Sequence, residues 1–321
     1  MVQFGYTLMT EQSDPKSLVQ WAVEAEQAGW DFEVSSDHYF PWLDSQGHAP
    51  NAWVTLGAVG QATERVELMT YVTCPILRYH PAVVAQQAAT LDLLADGRFT
   101  LGLGSGENLN EHVVGAGWPP ANVRHEMFAE AVEIIKALFA GGYVNYSGKH
   151  YRVDSAKLWD LGDPPPRIGI AVSGEQSSQI AGQYADAMIA VEPEAKLGDQ
   201  FDSFGGKGKP RIGQLPISFD TDRDVAIERA HDQFRWFAGG WKVNAELPGT
   251  AGFDAASQFV RKQDVAEQIP CGDDAGAVKD AVKQFVDAGF THVALVQIGG
   301  EHQPDFLRWS EKELLPALRE L

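Results

Sequence analysis

Residues 35–42 read Ser-Ser-Asp-His-Tyr-Phe-Pro-Trp. Asp37 and His38 set a carboxylate beside an imidazole, the side chain that exchanges protons near neutral pH. Tyr39, Phe40 and Trp42 add more ring surface than a solvated loop needs. The combination suits one wall of a ligand pocket, with His38 as general base or hydroxyl-orienting group and Trp42 as a shield against water. The plainer readings are a satisfied, half-buried histidine and a loop-packing tryptophan. A second stretch, Leu-Gly-Leu-Gly-Ser-Gly-Glu-Asn-Leu-Asn-Glu at 101–111, fails as a dinucleotide fingerprint, because Glu107 stands where the third glycine belongs. It reads better as a turn whose glycines bring backbone close to a flat ligand while Glu107 presents a carboxylate; the alternative is that Glu107 caps the following helix. Ser173 and Gly174 open Ser-Gly-Glu-Gln-Ser-Ser (173–178), either an anion-binding helix start or an ordinary serine cap. Cys74 lies just past an apolar run and reads as a small buried hydrophobe. No G-x-S-x-G elbow occurs, Gly5-Tyr6-Thr7 carry no His-x-His, and Cys74 and Cys271 lack metal or disulfide spacing, so neither a triad hydrolase nor a metal site is indicated.

These groups need elements to position them. Strand-like runs fall near 3–8, 31–36, 66–72, 98–104, 167–172, 186–191, 211–219 and 292–298, with helical runs between most of them. Asp14-Pro15 starts one helix and Gly29 stops it; Pro81 starts another; Gly141-Gly142 and Gly289 end two more. Eight strands with interleaved helices favour an α/β fold of the closed (β/α)8 TIM-barrel type over an open sheet. The expectation is one domain over 1–321, with insertions about 105–123, 143–166 and 220–270 covering the mouth. In such a barrel, chemistry belongs at the C-terminal strand ends. Asp37 and His38 follow the second strand, Cys74 the third, Glu107 and Asn108 the fourth, and Ser173 and Gly174 the fifth, so all fall on one rim.

The chain has 321 residues with 44 acids against 25 bases, a net charge of −19. That field repels nucleic-acid backbones and anionic lipid, which leaves a small-molecule partner as the expectation. The N-terminus lacks a basic leader, and no apolar run approaches the roughly 20 residues a membrane span needs, so the chain reads as cytoplasmic.

The segments 36–42, 46–50, 73–86, 97–111 and 287–299 together resemble the luciferase-like (β/α)8 superfamily. Within it they are most similar to oxidoreductases using coenzyme F420, an 8-hydroxy-5-deazaflavin, in the glucose-6-phosphate-dehydrogenase-like branch. The resemblance covers essentially the whole chain. It implies a deazaflavin in the barrel mouth, contacted by Asp37, Tyr71, Val72, Cys74, Gly106, Glu107, Asn110, Val172, Ser173 and Gly174. It also implies a cis peptide between Tyr71 and Val72, catalytic roles for His38, Trp42 and Glu107 in hydride transfer, and a homodimer. Two alternatives stand beside it: an FMN-dependent monooxygenase of the same barrel class and a non-catalytic flavin-binding barrel. The chain departs from the branch's sugar-phosphate pattern: Glu194 and Glu267 align where basic residues hold phosphate, with Lys196 and Lys242 as substitutes nearby.

Overall fold

The computed structural model describes residues 1–321. Ten strands form: β1 Gln3–Leu8, β2 Phe32–Ser35, β3 Glu67–Thr70, β4 Phe99–Leu103, β5 Val144–Ser147, β6 Arg152–Ala156, β7 Arg167–Ala171, β8 Ala187–Ala190, β9 Arg211–Ile217 and β10 His292–Gln297. Eight of them close a barrel in the order β1-β10-β9-β8-β7-β4-β3-β2. All neighbours are parallel, and β1 seals the ring by pairing with both β10 and β2. This is the (β/α)8 barrel that the strand count favours, and the eight expected runs are the eight barrel strands. The antiparallel hairpin β5–β6 lies outside the ring, within the 143–166 connection.

Alternation along each strand divides the apolar residues between two layers. Phe32, Val34, Met69, Ala187, Ile189, Ile212 and Ala294 cluster inside the barrel. Phe4, Tyr6, Leu8, Leu101, Leu103 and Ile170 face outward into the main core under the helices. The interior is tight enough to require glycine. A Cβ on Gly5 would lie 2.4 Å from the Phe32 ring, and one on Gly102 would lie 1.8 Å from the Thr70 carbonyl oxygen.

The helices start and stop on local chemistry. Asp14 accepts from the Lys16 and Ser17 amides at 3.0 and 3.3 Å, Pro15 opens the helix Pro15–Ala28, and Gly29 ends it with φ +98°. Between β9 and β10, residues 220–270 form helices Arg223–Phe234, Thr250–Ser257 and Lys262–Ala266 before helix Ala275–Asp287 leads back to the barrel. Their apolar faces meet the mouth in a third cluster that includes Trp42, Leu109, Phe234, Phe253 and Ile298. No helix is long and apolar enough to cross a membrane.

Candidate active site

The rim follows from where strands end. β2 delivers Ser36 to Trp42, β3 delivers Tyr71 to Tyr79, β4 delivers Gly104 to Glu111, and β1 delivers Thr10, Glu11 and Gln12. His38, 9 % exposed, sits at the meeting of three of these segments. Its Nε2 is 3.5 Å from Glu107 Oε1, and its Nδ1 is 3.3 Å from Glu11 Oε1 and 3.1 Å from the Phe40 carbonyl oxygen. Two acceptors at Nδ1 assign a proton there. Nε2 is the ring nitrogen left facing Glu107.

The Trp42 ring packs against His38 with centroids 4.8 Å apart, and its indole N–H donates to Glu11 Oε1 at 3.1 Å. The other Glu11 oxygen accepts from Ser36 Oγ at 2.5 Å and from Thr10 Oγ1 at 3.2 Å. Asn110 ties the β2 and β4 exit loops together. Its Nδ2 donates to Glu107 Oε1 at 2.5 Å, while its Oδ1 accepts from the Tyr39 and Phe40 amides at 2.7 and 3.1 Å. The Glu107 side chain makes no cap hydrogen bond to the short helix Asn108–Glu111 that follows it. Its carboxylate goes to Asn110 and His38 instead of to the helix.

Asp37 does not partner its sequence neighbour. Its carboxylate accepts from Thr73 Oγ1 at 2.7 Å and pairs with Arg78 Nη2 at 3.1 Å, beneath the rim. Arg78 also donates its backbone N–H to Glu111 at 2.8 Å. Burial lifts the Glu111 carboxyl to about 7 even with Arg78 beside it. Cys74 is buried, and that burial pushes its thiol well above the ordinary value, so it is no nucleophile at neutral pH.

The remaining expected contacts form the other side of the mouth. The Tyr71–Val72 peptide is cis. Tyr71 OH donates to the Ala190 carbonyl oxygen at 3.3 Å. A Cβ on Gly104 would lie 2.6 Å from Val72 Cγ2 and 3.5 Å from Ala171 Cβ, and one on Gly106 would lie 2.3 Å from Cys74 Sγ. The β3, β4 and β7 rims therefore meet through bare backbone. The Ser173 and Gly174 amides, just ahead of helix Glu175–Tyr184, donate to Ser177 Oγ at 3.0 and 3.2 Å. Beside Gly174, an added methyl would meet no atom within 4 Å. A glycine-rich wall facing open room at β7 fits a planar ring. No hydrogen bond or ion pair joins Val172, Ser173 or Gly174 to the His38 group.

Sequence reading missed Glu11, Arg78 and Glu111. The strand-end rule that found His38 also reaches Glu11, three residues past β1.

A parallel barrel with imidazole, indole and carboxylate gathered on its C-terminal lip has the architecture of a (β/α)8 barrel enzyme. Residues 2–292 match the luciferase-like monooxygenase family, and the chain belongs to that family. It is 34 % identical, over 99 % of its length and 98 % of the relative's, to a Microbacterium testaceum protein named F420-dependent glucose-6-phosphate dehydrogenase. It is 37 % identical, over 89 % of its length and 80 % of the relative's, to the F420-dependent hydroxymycolic acid dehydrogenase of Mycobacterium tuberculosis. A solved F420-dependent secondary alcohol dehydrogenase, in complex with an F420-acetone adduct, superposes with a TM-score of 0.90 at 27 % identity over 99 % of both chains.

Proposed function

We propose that the chain is an F420-dependent oxidoreductase that moves hydride between C5 of the bound deazaflavin and the carbon of a small alcohol, carbonyl or sugar-type substrate. The observation that carries this reading is the His38 arrangement: Nε2 faces Glu107 at 3.5 Å while Nδ1 is held from behind by Glu11 at 3.3 Å. Such an imidazole can take the hydroxyl proton at Nε2 during oxidation and return it during reduction. With the coenzyme bound, Glu107 would hold or release the second proton, the one belonging to ring nitrogen N1. Trp42 packs on the imidazole and keeps water from it. Tyr71, Val72, Cys74, Gly106, Asn110 and Val172 to Gly174 would hold the ring, with Asp37 anchoring the loop below. The matched relatives named for F420 support this choice of coenzyme. Difference absorbance titration tests it. Coenzyme F420 should bind saturably and FMN should not; tight FMN binding without F420 binding would turn the assignment to a flavin monooxygenase.

A homodimer is part of the proposal. Helices Ala52–Ala62 and Pro81–Leu94 lie side by side, and their sequences carry only one charged residue, the buried Asp92. They expose Val54 at 76 %, Val83 at 46 % and Leu94 at 39 %. An uncharged, apolar two-helix face of this kind suits a second copy of the chain.

A further inference from the structure

Resting on the F420-dependent reading, we infer that Asn108, Arg124 and Glu246 are positioning residues for Glu107: they fasten the long β9–β10 connection to the loop that presents its carboxylate. Glu107 needs such support. The helix that follows it, Asn108–Glu111, is a single turn, and so is helix Trp241–Asn244 in the β9–β10 connection. A lone turn is not stable by itself in water. Each also leaves backbone groups at its ends without intrahelical partners.

The two turns complete each other. The Asn108 amide, at the first position of its helix, donates to the carbonyl oxygen of Ala245, the C-cap of the other, at 3.0 Å. Asn108 Nδ2 donates to the next carbonyl oxygen, that of Glu246, at 3.1 Å. An orphan donor of one turn thus meets an orphan acceptor of the other. The residue gripped by both bonds is the one directly after Glu107.

The Glu246 side chain reaches the far end of the same β4 connection. Its Oε1 accepts from Arg124 Nη2 at 2.8 Å, and Arg124 Nη1 donates to the Pro119 carbonyl oxygen at 2.7 Å. The Arg124 guanidinium lies 4.4 Å over the Trp118 ring, and the residue is only 5 % exposed. An ordinary surface ion pair contributes little, largely because two long side chains must be ordered to make it. Here the arginine is already held by a ring and a carbonyl, so that cost is reduced. Ala245 and Glu246 therefore hold both ends of the segment 108–124.

Asn110 fixes the Glu107 carboxylate relative to the β2 exit, through its own bonds to Tyr39 and Phe40. The Asn108 clasp fixes the backbone beside it relative to the β9–β10 connection. Two anchors from different connections define one position of the carboxylate, 3.5 Å from His38 Nε2. The insertion then does more than cover the mouth: it sets the distance between the two groups that handle protons.

The test uses the full chain. The ring-nitrogen NMR signals of His38, assigned by their loss in His38→Gln, report its contact with Glu107, and Glu107→Ala gives the spectrum without that contact. The Glu246 side chain is 53 % exposed, so its replacement leaves the core intact. Glu246→Ala and Asn108→Ala should each move the His38 signals toward the Glu107→Ala spectrum. Each should also weaken coenzyme F420 binding, read by fluorescence titration, about threefold. Glu246→Gln keeps an acceptor for Arg124 and should stay close to wild type. In a Glu107→Ala background, Glu246→Ala should weaken the coenzyme no further. His38 signals unchanged in either alanine variant would overturn the inference, as would losses of affinity that multiply in the double variant. A wild-type chain that fails to bind coenzyme F420 sinks the F420 reading alone, because the His38 spectra decide the positioning role without coenzyme.

Discussion

Glu11 accepts from Trp42, Ser36 and Thr10 and lies against His38 Nδ1, so one carboxylate orients both the indole and the imidazole of the proposed site. Glu111, by contrast, lies deeper, and burial raises its carboxyl from an ordinary 4.5 to about 7. A carboxyl shifted this way binds more protons in the folded than in the unfolded chain between those two values. Stability therefore falls as pH climbs from about 4.5 to about 7, and the loss, roughly 3 kcal/mol, is complete above that window. Glu111→Gln cannot ionise and should lack this slope. Melting curves of both proteins across that range check it: the variant's stability relative to wild type should rise with pH, and parallel profiles would contradict the argument. Glutamine keeps an acceptor for the Arg78 amide, so the slope rather than the absolute stability is the diagnostic.

The elements that carry the site were legible where local chemistry punctuates them. Asp14-Pro15 and Gly29 bound their helix in sequence as in structure, and the strand-end rule located His38, Glu107 and Asn108 on one lip, while Asn110 came only from the family resemblance. The β5–β6 hairpin was not legible, because its strands are short, half exposed and polar, so no period-2 burial pattern marks them. The partner of His38 was not legible either. Adjacency pointed to Asp37, but successive residues leaving a strand turn to different sides, and the true neighbour, Glu11, comes from another strand. The β4 exit makes a prediction at this scale. Gly106 has φ +72°, and a Cβ there would lie 2.3 Å from Cys74 Sγ. Gly106→Ala should cost about 1–3 kcal/mol in chemical denaturation and weaken coenzyme binding, because the β3 and β4 rims must separate. Adding Cys74→Ala should recover part of the loss by removing the sulfur; no recovery would place the cost in the backbone alone.

At the scale of the molecule, the uncharged face on helices Ala52–Ala62 and Pro81–Leu94 belongs to the helical layer outside the barrel. Val54→Lys with Val83→Glu puts charges of both signs on that face. Light scattering should show a two-chain mass for wild type and a one-chain mass for the variant, with coenzyme titration unchanged in stoichiometry per chain. A one-chain mass for wild type would remove the dimer from the proposal.

The ring closes where β1 meets β10, and Gln12, next to Glu11, spans that seam: it donates to the Gln297 carbonyl oxygen at 2.7 Å and accepts from the Gly299 amide at 2.9 Å. The imidazole's rear support is thus stitched to the last staves of the cask. A proteolytic nick that releases β10 should therefore disturb the lip without touching any residue on it.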